Sequence, residues 1–199
     1  RSSVDGGVNL AGKLYFPVGN APETGWPYSI FSHGFSGGLG GQFRNFPFID
    51  EDYKVSLFGK GAGSWAHEGM VTLTLWLPGH GPSEPFATYA PLAVERNAQA
   101  NGDAWKAMGN LGEYFAEHPE LIRESGFIPK LDHGRKVFRT NCISSPMLVY
   151  FAANMSKYPG AEGIGAFVID TFQPSVAYMN YLFKDQTKGM KPRAAAVTL

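Results

Sequence analysis

Short runs in which apolar residues alternate with polar ones recur along the chain, most of them closed by glycine or proline. Between them lie longer stretches whose apolar positions repeat at helical spacing. Val8, Leu10, Leu14 and Phe16 hold one side of a period-two pattern broken near Gly12, so residues 8–16 read as a strand. Residues 18–25 are a turn-rich connector, and 27–32 are a second strand that stops at His33-Gly34. Residues 39–52 are rich in glycine and aromatics and read as irregular. Residues 55–68 have helix length, although Gly59, Gly61 and Gly63 weaken that reading, since a glycine costs about 1 kcal/mol inside a helix. Residues 70–77, rich in Val, Thr and Leu, form the next strand.

The strongest helical signal covers 94–117, where Ala104, Met108, Leu111 and Phe115 follow at spacings of four, three and four. Gly109 and Gly112 on that helix predict close approach to a neighbour. A long connector over 118–134 leads to a short strand at 136–142. Residues 146–157 form a helix that is apolar nearly all round and is therefore expected to be buried, and 163–170 a buried strand. Residues 175–184 read as a helix, and 194–199 as the opening of one more strand.

Strands alternating with helices in this order predict an α/β fold, with a mostly parallel central sheet and helices on both faces. The 199 residues show no repeat, low-complexity tract or linker, so 1–199 is expected to be a single domain. In such sheets ligands bind beyond the carboxyl ends of the strands, which singles out the loops after Ser32 and Leu77.

Charge removes whole classes of partner. Seventeen basic and 17 acidic residues balance to zero, offering no field to nucleic acid or an anionic membrane. Sparse charge (17%), 14% aromatics and 25 glycines suit a loop-rich protein with an apolar-lined cleft. Cys142 is the single cysteine, so no intramolecular disulfide forms, and compartment and oligomeric state stay open. No stretch is long and apolar enough to be a transmembrane helix. The chain begins at Arg1 without methionine or signal peptide, from which a processed, excised or partial chain is expected.

Several motifs fail on inspection. Gly7-Val8-Asn9-Leu10-Ala11-Gly12-Lys13 matches most of a phosphate loop, but Leu14 stands where a hydroxyl residue is needed and a strand follows where a helix should. Gly59, Gly61 and Gly63 miss the dinucleotide spacing by one residue, so no cofactor is expected. The five histidines are scattered with no carboxylate at ligand spacing, so no metal site is expected either.

Gly34-Phe35-Ser36-Gly37-Gly38 fits G-x-S-x-G, the pattern of a nucleophile elbow. An elbow joins a strand directly to a helix, and Leu39-Gly40-Gly41-Gln42-Phe43 is a poor helix start. The loop therefore reads better as a donor of backbone amides to an oxyanion, the alternative being Ser36 as nucleophile with His80 as base.

A Leu-Tyr-Phe-Pro strand, a strand ending His33-Gly34-Phe35, and a Met-Val-Thr-Leu strand ending Pro78-Gly79-His80-Gly81-Pro82-Ser83 together resemble the α/β-hydrolase family, particularly its esterase and lipase branch. The likeness runs from Val8 to about Asp170. It implies that His33, Gly34 and His80 shape the loops and that Phe35 or Ser36 gives one backbone N–H to the oxyanion. It also implies a nucleophile at the tip of the strand after the long helix, where Asn141-Cys142-Ile143-Ser144-Ser145-Pro146 places Ser144, with the Ser145 N–H as second oxyanion donor. Cys142 and Pro146 stand where the family has glycines. Read without the family, Ser144 serves equally well as a helix N-cap.

Asp170 occupies a place some lipases use for the triad acid, and Leu131-Asp132-His133-Gly134-Arg135 resembles the segment before this strand in secreted esterases. No histidine follows Ser144, which is expected to reflect a chain that stops as a further strand opens at 194–199. The resemblance implies a carboxylic-ester hydrolase acting, without a cofactor, on small-molecule esters with an apolar part. Aromatic residues in 43–53 and 86–89 would line its cleft. The alternative is a non-catalytic relative that binds a hydrophobic ligand or partner.

Overall fold

The computed structural model describes residues 1–32, 55–56, 59–60, 62–78, 83, 94–121, 130–142 and 144–172. Its strands are β1 (Gly12–Tyr15), β2 (Trp26–Ser32), β3 (Val55–Ser56), β4 (Gly59–Lys60), β5 (Val71–Leu75), β6 (Leu131–Cys142) and β7 (Ile164–Phe172). The helices are α1 (Ala62–His67), α2 (Val94–Gly109), α3 (Leu111–Glu117) and α4 (Ser145–Ala153).

Five strands form one sheet in the order β1-β5-β2-β6-β7, and β3 and β4 form a separate antiparallel pair. The ladders β5–β2, β2–β6 and β6–β7 are parallel, while β1 runs antiparallel along β5. β2 lies between two parallel neighbours, and its Trp-Pro-Tyr-Ser-Ile-Phe-Ser sequence is buried along almost its whole length, as a covered central strand requires. The sequence expectation of a mostly parallel α/β sheet is met.

Register and alternation assign the two faces. Tyr28 pairs with Val71 and Lys136, and Ile30 with Leu73 and Phe138, so these side chains share one face. Trp105 of α2 packs there, 5.7 Å from the Tyr28 ring and 5.8 Å from that of Phe138, and Phe151 of α4 meets Phe138 edge-on at 5.0 Å. The opposite face carries Phe31 and Arg139, whose guanidinium lies over the rings of Phe31 (5.1 Å) and of Trp65 in α1 (4.7 Å). Helices therefore cover both faces.

Glycine accounts for one close approach on the α2 side. A Cβ at Gly102 would lie 2.4 Å from Tyr158 Cδ1, and one at Gly160 (φ +87°) would lie 2.9 Å from backbone atoms of Trp105 and Lys106. Tyr158 thus reaches in far enough to stack on Phe151 at 4.4 Å, and burial first, then Tyr150 and Glu95, pushes its phenol up to about 12. The expected close approach at Gly109 is absent, since that position faces open space.

Other boundaries moved for identifiable reasons. The single helix expected over 94–117 breaks at Asn110 (φ −99°, ψ 7°), where the Gly109-Asn110 pair favours a turn. The helix expected over 55–68 starts only at Ala62, because Val55 and Gly59 enter the β3–β4 pair. β6 begins at Leu131, earlier than the expected 136, because Leu131 pairs with Trp26 and Lys136 with Tyr28. Pro27 between them has no N–H for the ladder, so residues 132–135 bulge out. There Asp132 accepts from Gly134 N–H at 2.9 Å and from Arg135 Nε at 2.6 Å. Those bonds, Arg135 foremost, hold the carboxyl below the usual carboxylate range. The strand expected to be buried over 163–170 lies at the edge of the described sheet, with Phe167 39% exposed. The helix expected to be buried all round covers only one face, through Met147, Leu148 and Phe151, and exposes Ala152 and Ala153.

The N-terminus is held to α2 by one carboxylate. Asp103 accepts from Ser2 Oγ (2.6 Å), Ser3 N–H (2.7 Å), Ser3 Oγ (2.9 Å) and Gln99 Nε2 (3.1 Å). Burial pushes its carboxyl up, but the four donors outweigh it and leave the group below its ordinary value of 3.8. A depressed native value contributes stability above pH 3.8 that is lost as the pH falls through the lower folded value. Asp103→Asn is expected to lower Tm at pH 7 by about 2–4 °C, a small shift because solvent screens the half-exposed group. The gap between wild type and variant should close below pH 3.8 in thermal melts followed by circular dichroism.

Candidate active site

The carboxyl ends of β2, β5 and β6 lie side by side, with Ser32 in register with Leu75 on one side and Thr140 on the other. The loops after Ser32 and Leu77 therefore leave from the same end of the sheet as the turn that follows Cys142, the place where such sheets bind ligands.

That turn carries Ser144. It sits between β6 and α4 as the helix N-cap residue, with its carbonyl accepting Leu148 N–H at 3.0 Å. Ser144 is 1% exposed and Ser145 is fully buried. Pro146 occupies the first turn of α4, where a missing N–H costs nothing. Ser144 has φ −79° and ψ −7°, an ordinary right-handed conformation, and its side chain makes no capping bond. The strained backbone of a nucleophile elbow is thus not what this serine adopts.

Asp170 lies in β7, which runs beside β6. Thr140 pairs with Ile169 and Cys142 with Phe172, so β7 spends one extra residue across this interval and Asp170 falls inside the irregularity. Its backbone is thereby set next to the residues that lead into Ser144. His33, Gly34, Phe35, Ser36 and His80 lie outside the described residues, as do the aromatic stretches 43–53 and 86–89.

Two groups that pattern reading passed over are built into this end of the sheet. Ser83 accepts from Ala11 N–H at 2.9 Å and donates to the Trp76 carbonyl at 2.7 Å, fastening the loop after β5 to the segments flanking β1 and β5. The second is Asn101 on α2, fully buried, whose Oδ1 accepts from Ser32 Oγ at 2.6 Å. Asn97 and Asn101 stand four apart on the stripe that continues through Ala104 and Met108, and polar residues inside an apolar stripe were the available signal.

Among the described residues, two titratable groups with clear shifts sit at the other end of the sheet. Lys136, its ammonium pushed down by burial, donates to the carbonyls of Gly160 (2.9 Å) and Glu162 (2.6 Å) at the amino end of the strands. Tyr28, raised by burial and then by Asp132 and Glu162, hydrogen-bonds His133 Nδ1 at 3.2 Å near that same end. Among the described residues no three His, Cys, Asp or Glu side chains gather to hold a metal, and no helix is long and apolar enough to cross a membrane.

No family model and no curated protein matches the chain. Solved structures do. An acetyl xylan esterase from Paenibacillus sp. R4 matches with a TM-score of 0.51 at 15% identity, over 96% of this chain and 56% of that one. Est1E from Butyrivibrio proteoclasticus, solved with ferulic acid bound, matches with a TM-score of 0.44 at 16% identity, over 83% of this chain and 49% of that one. The chain thus spans about half the length of each. Parallel order, helices on both faces and overlap with an esterase agree on one architecture: this chain has the α/β-hydrolase fold.

Proposed function

We propose that the protein is a carboxylic-ester hydrolase in which Ser144 is the nucleophile. The observation that carries this reading is the position of Ser144, at the carboxyl end of β6 and the start of α4 in a fold shared with an acetyl xylan esterase. In the reaction Ser144 Oγ attacks the ester carbonyl and gives its proton to a base. The carbonyl oxygen becomes an oxyanion held by the N–H groups of Ser145 and Phe35, or of Ser36 in place of Phe35. Collapse of that intermediate expels the alcohol, which takes up the proton, and water then releases the acid by the same steps. Asp170 is the proposed acid that orients the base. The family order serine, acid, histidine asks for a base after Asp170, and none of the five histidines lies beyond Ser144. Substrates are small esters with an apolar acyl or alkyl part, matched to the aromatic stretches 43–53 and 86–89.

One observation favours a second reading. Ser144 has a relaxed right-handed backbone with none of an elbow's strain, which suits a hydrolase fold that binds a hydrophobic ligand without turning it over. Fluorophosphonate labelling with peptide mapping separates the two. The expected result is a phosphonylated Ser144, fluoride being the leaving group, and no label in Ser144→Ala. Label on Ser36 would move the nucleophile to the first loop, with His80 its base. An unlabelled chain without ester turnover would leave the binding protein.

A further inference from the structure

The Asn101 side chain touches two segments that the proposed chemistry needs held in register. Its Nδ2 donates to the Asn97 carbonyl at 2.8 Å, and a carbonyl only accepts, so the amide has one orientation. Its Oδ1 must then accept, and Ser32 Oγ supplies the donor at 2.6 Å. The same Nδ2 lies 3.7 Å from Met147 Sδ. Ser32 is the last residue of β2, directly before His33-Gly34-Phe35, and Met147 lies in the first turn of α4, two residues after Ser145. Ser32 and Asn101 are fully buried and Met147 is 1% exposed, so the three form a closed contact beneath the surface.

We infer that Asn101 is a positioning residue that sets the spacing between the carboxyl end of β2 and the start of α4, and with it the place of the Ser145 N–H as an oxyanion donor. The inference rests on the ester-hydrolase reading above. Oxyanion donors act only within a few tenths of an ångström of the developing charge. A buried amide clamped by a backbone carbonyl and a hydroxyl is stiffer than apolar packing, because each bond lost leaves a buried polar group unsatisfied. Helix α2 is thus made the ruler between two segments that do not follow one another in the chain.

The test measures turnover of a p-nitrophenyl ester and of its thionoester, in which sulfur replaces the carbonyl oxygen. A well-formed oxyanion site prefers oxygen, so the oxygen-to-sulfur rate ratio reports the donor geometry. In Asn101→Leu and in Ser32→Ala, kcat on the oxygen ester is expected to fall about tenfold with KM unchanged, and the ratio to narrow. The double variant should fall no further than Asn101→Leu alone, since both changes remove one contact. Equal losses on both esters, or a raised KM at unchanged kcat, would overturn the positioning role. Ser32→Ala, which removes one oxygen atom, keeps the test decisive if Asn101→Leu does not fold. Absence of wild-type turnover would overturn the hydrolase reading and this inference together, and it is seen before any variant is compared.

Discussion

Alanine at position 144 is expected to lower kcat for a p-nitrophenyl ester by roughly 10⁴- to 10⁶-fold, the loss typical of a missing serine nucleophile. The fold should survive the change. Ser144 has φ −79° and ψ −7°, a conformation any residue adopts, and its side chain does not cap α4. The backbone feature that anchors the turn, the Leu148 N–H to Ser144 carbonyl bond, is untouched. Loss of one buried hydroxyl should lower Tm by no more than about 4 °C, which leaves the variant folded at assay temperature and makes the lost rate a chemical effect. A variant that keeps its activity would remove Ser144 from the reaction and return attention to Ser36. A variant that melts far below wild type would instead show that the hydroxyl is a structural group of the β6–α4 turn.

Much of the sheet was legible in the sequence because each strand carries its own signal. Residues 27–32, 70–77 and 136–142 combine β-branched and aromatic residues with glycine or proline at their ends, and all three are strands. What the sequence hid was non-local. The start of β6 at Leu131 depends on a ladder partner, Trp26, more than 100 residues away, and on Pro27 breaking that ladder. The break of the long helix at Asn110 is a local event, but the apolar stripe continues through it from Met108 to Leu111 and masks it. Gly109 drew notice as a contact glycine by its place on the helix, whereas Gly102 makes the contact because Tyr158 happens to meet it.

The site divides along the same line. The position of Ser144 between strand and helix was readable from Cys142 and the apolar run after Pro146. Its relaxed backbone was not, because resemblance to an elbow carries an expectation of strain that only φ and ψ can test. Asn101 and Ser32 were invisible as a pair, since a 69-residue separation leaves no trace in periodicity.

Phe138→Ala is expected to cost about 3–5 kcal/mol. Phe138 is fully buried near the middle of β6, and three rings meet it: Phe151 at 5.0 Å, Trp105 at 5.8 Å and Phe167 at 6.4 Å. Those rings come from α4, α2 and β7, so one truncation leaves a void facing three elements that cannot all move in to fill it. For a chain of 199 residues this corresponds to a Tm lowered by about 10 °C. Phe167→Ala provides the comparison. Its ring belongs to the same cluster but is 39% exposed, so part of the cavity opens to water and the cost should stay near about 1 kcal/mol. Urea unfolding of the two variants measures the difference directly. Equal costs would mean that β7 is as deeply packed as β6 and that the sheet does not end, in its packing, where its described ladder ends. A threefold or larger difference would place the centre of the core under α2 and α4. The strand that delivers Ser144 would then be the one most rigidly held, and a serine that is to meet its oxyanion donors within tenths of an ångström has to be carried on such a strand.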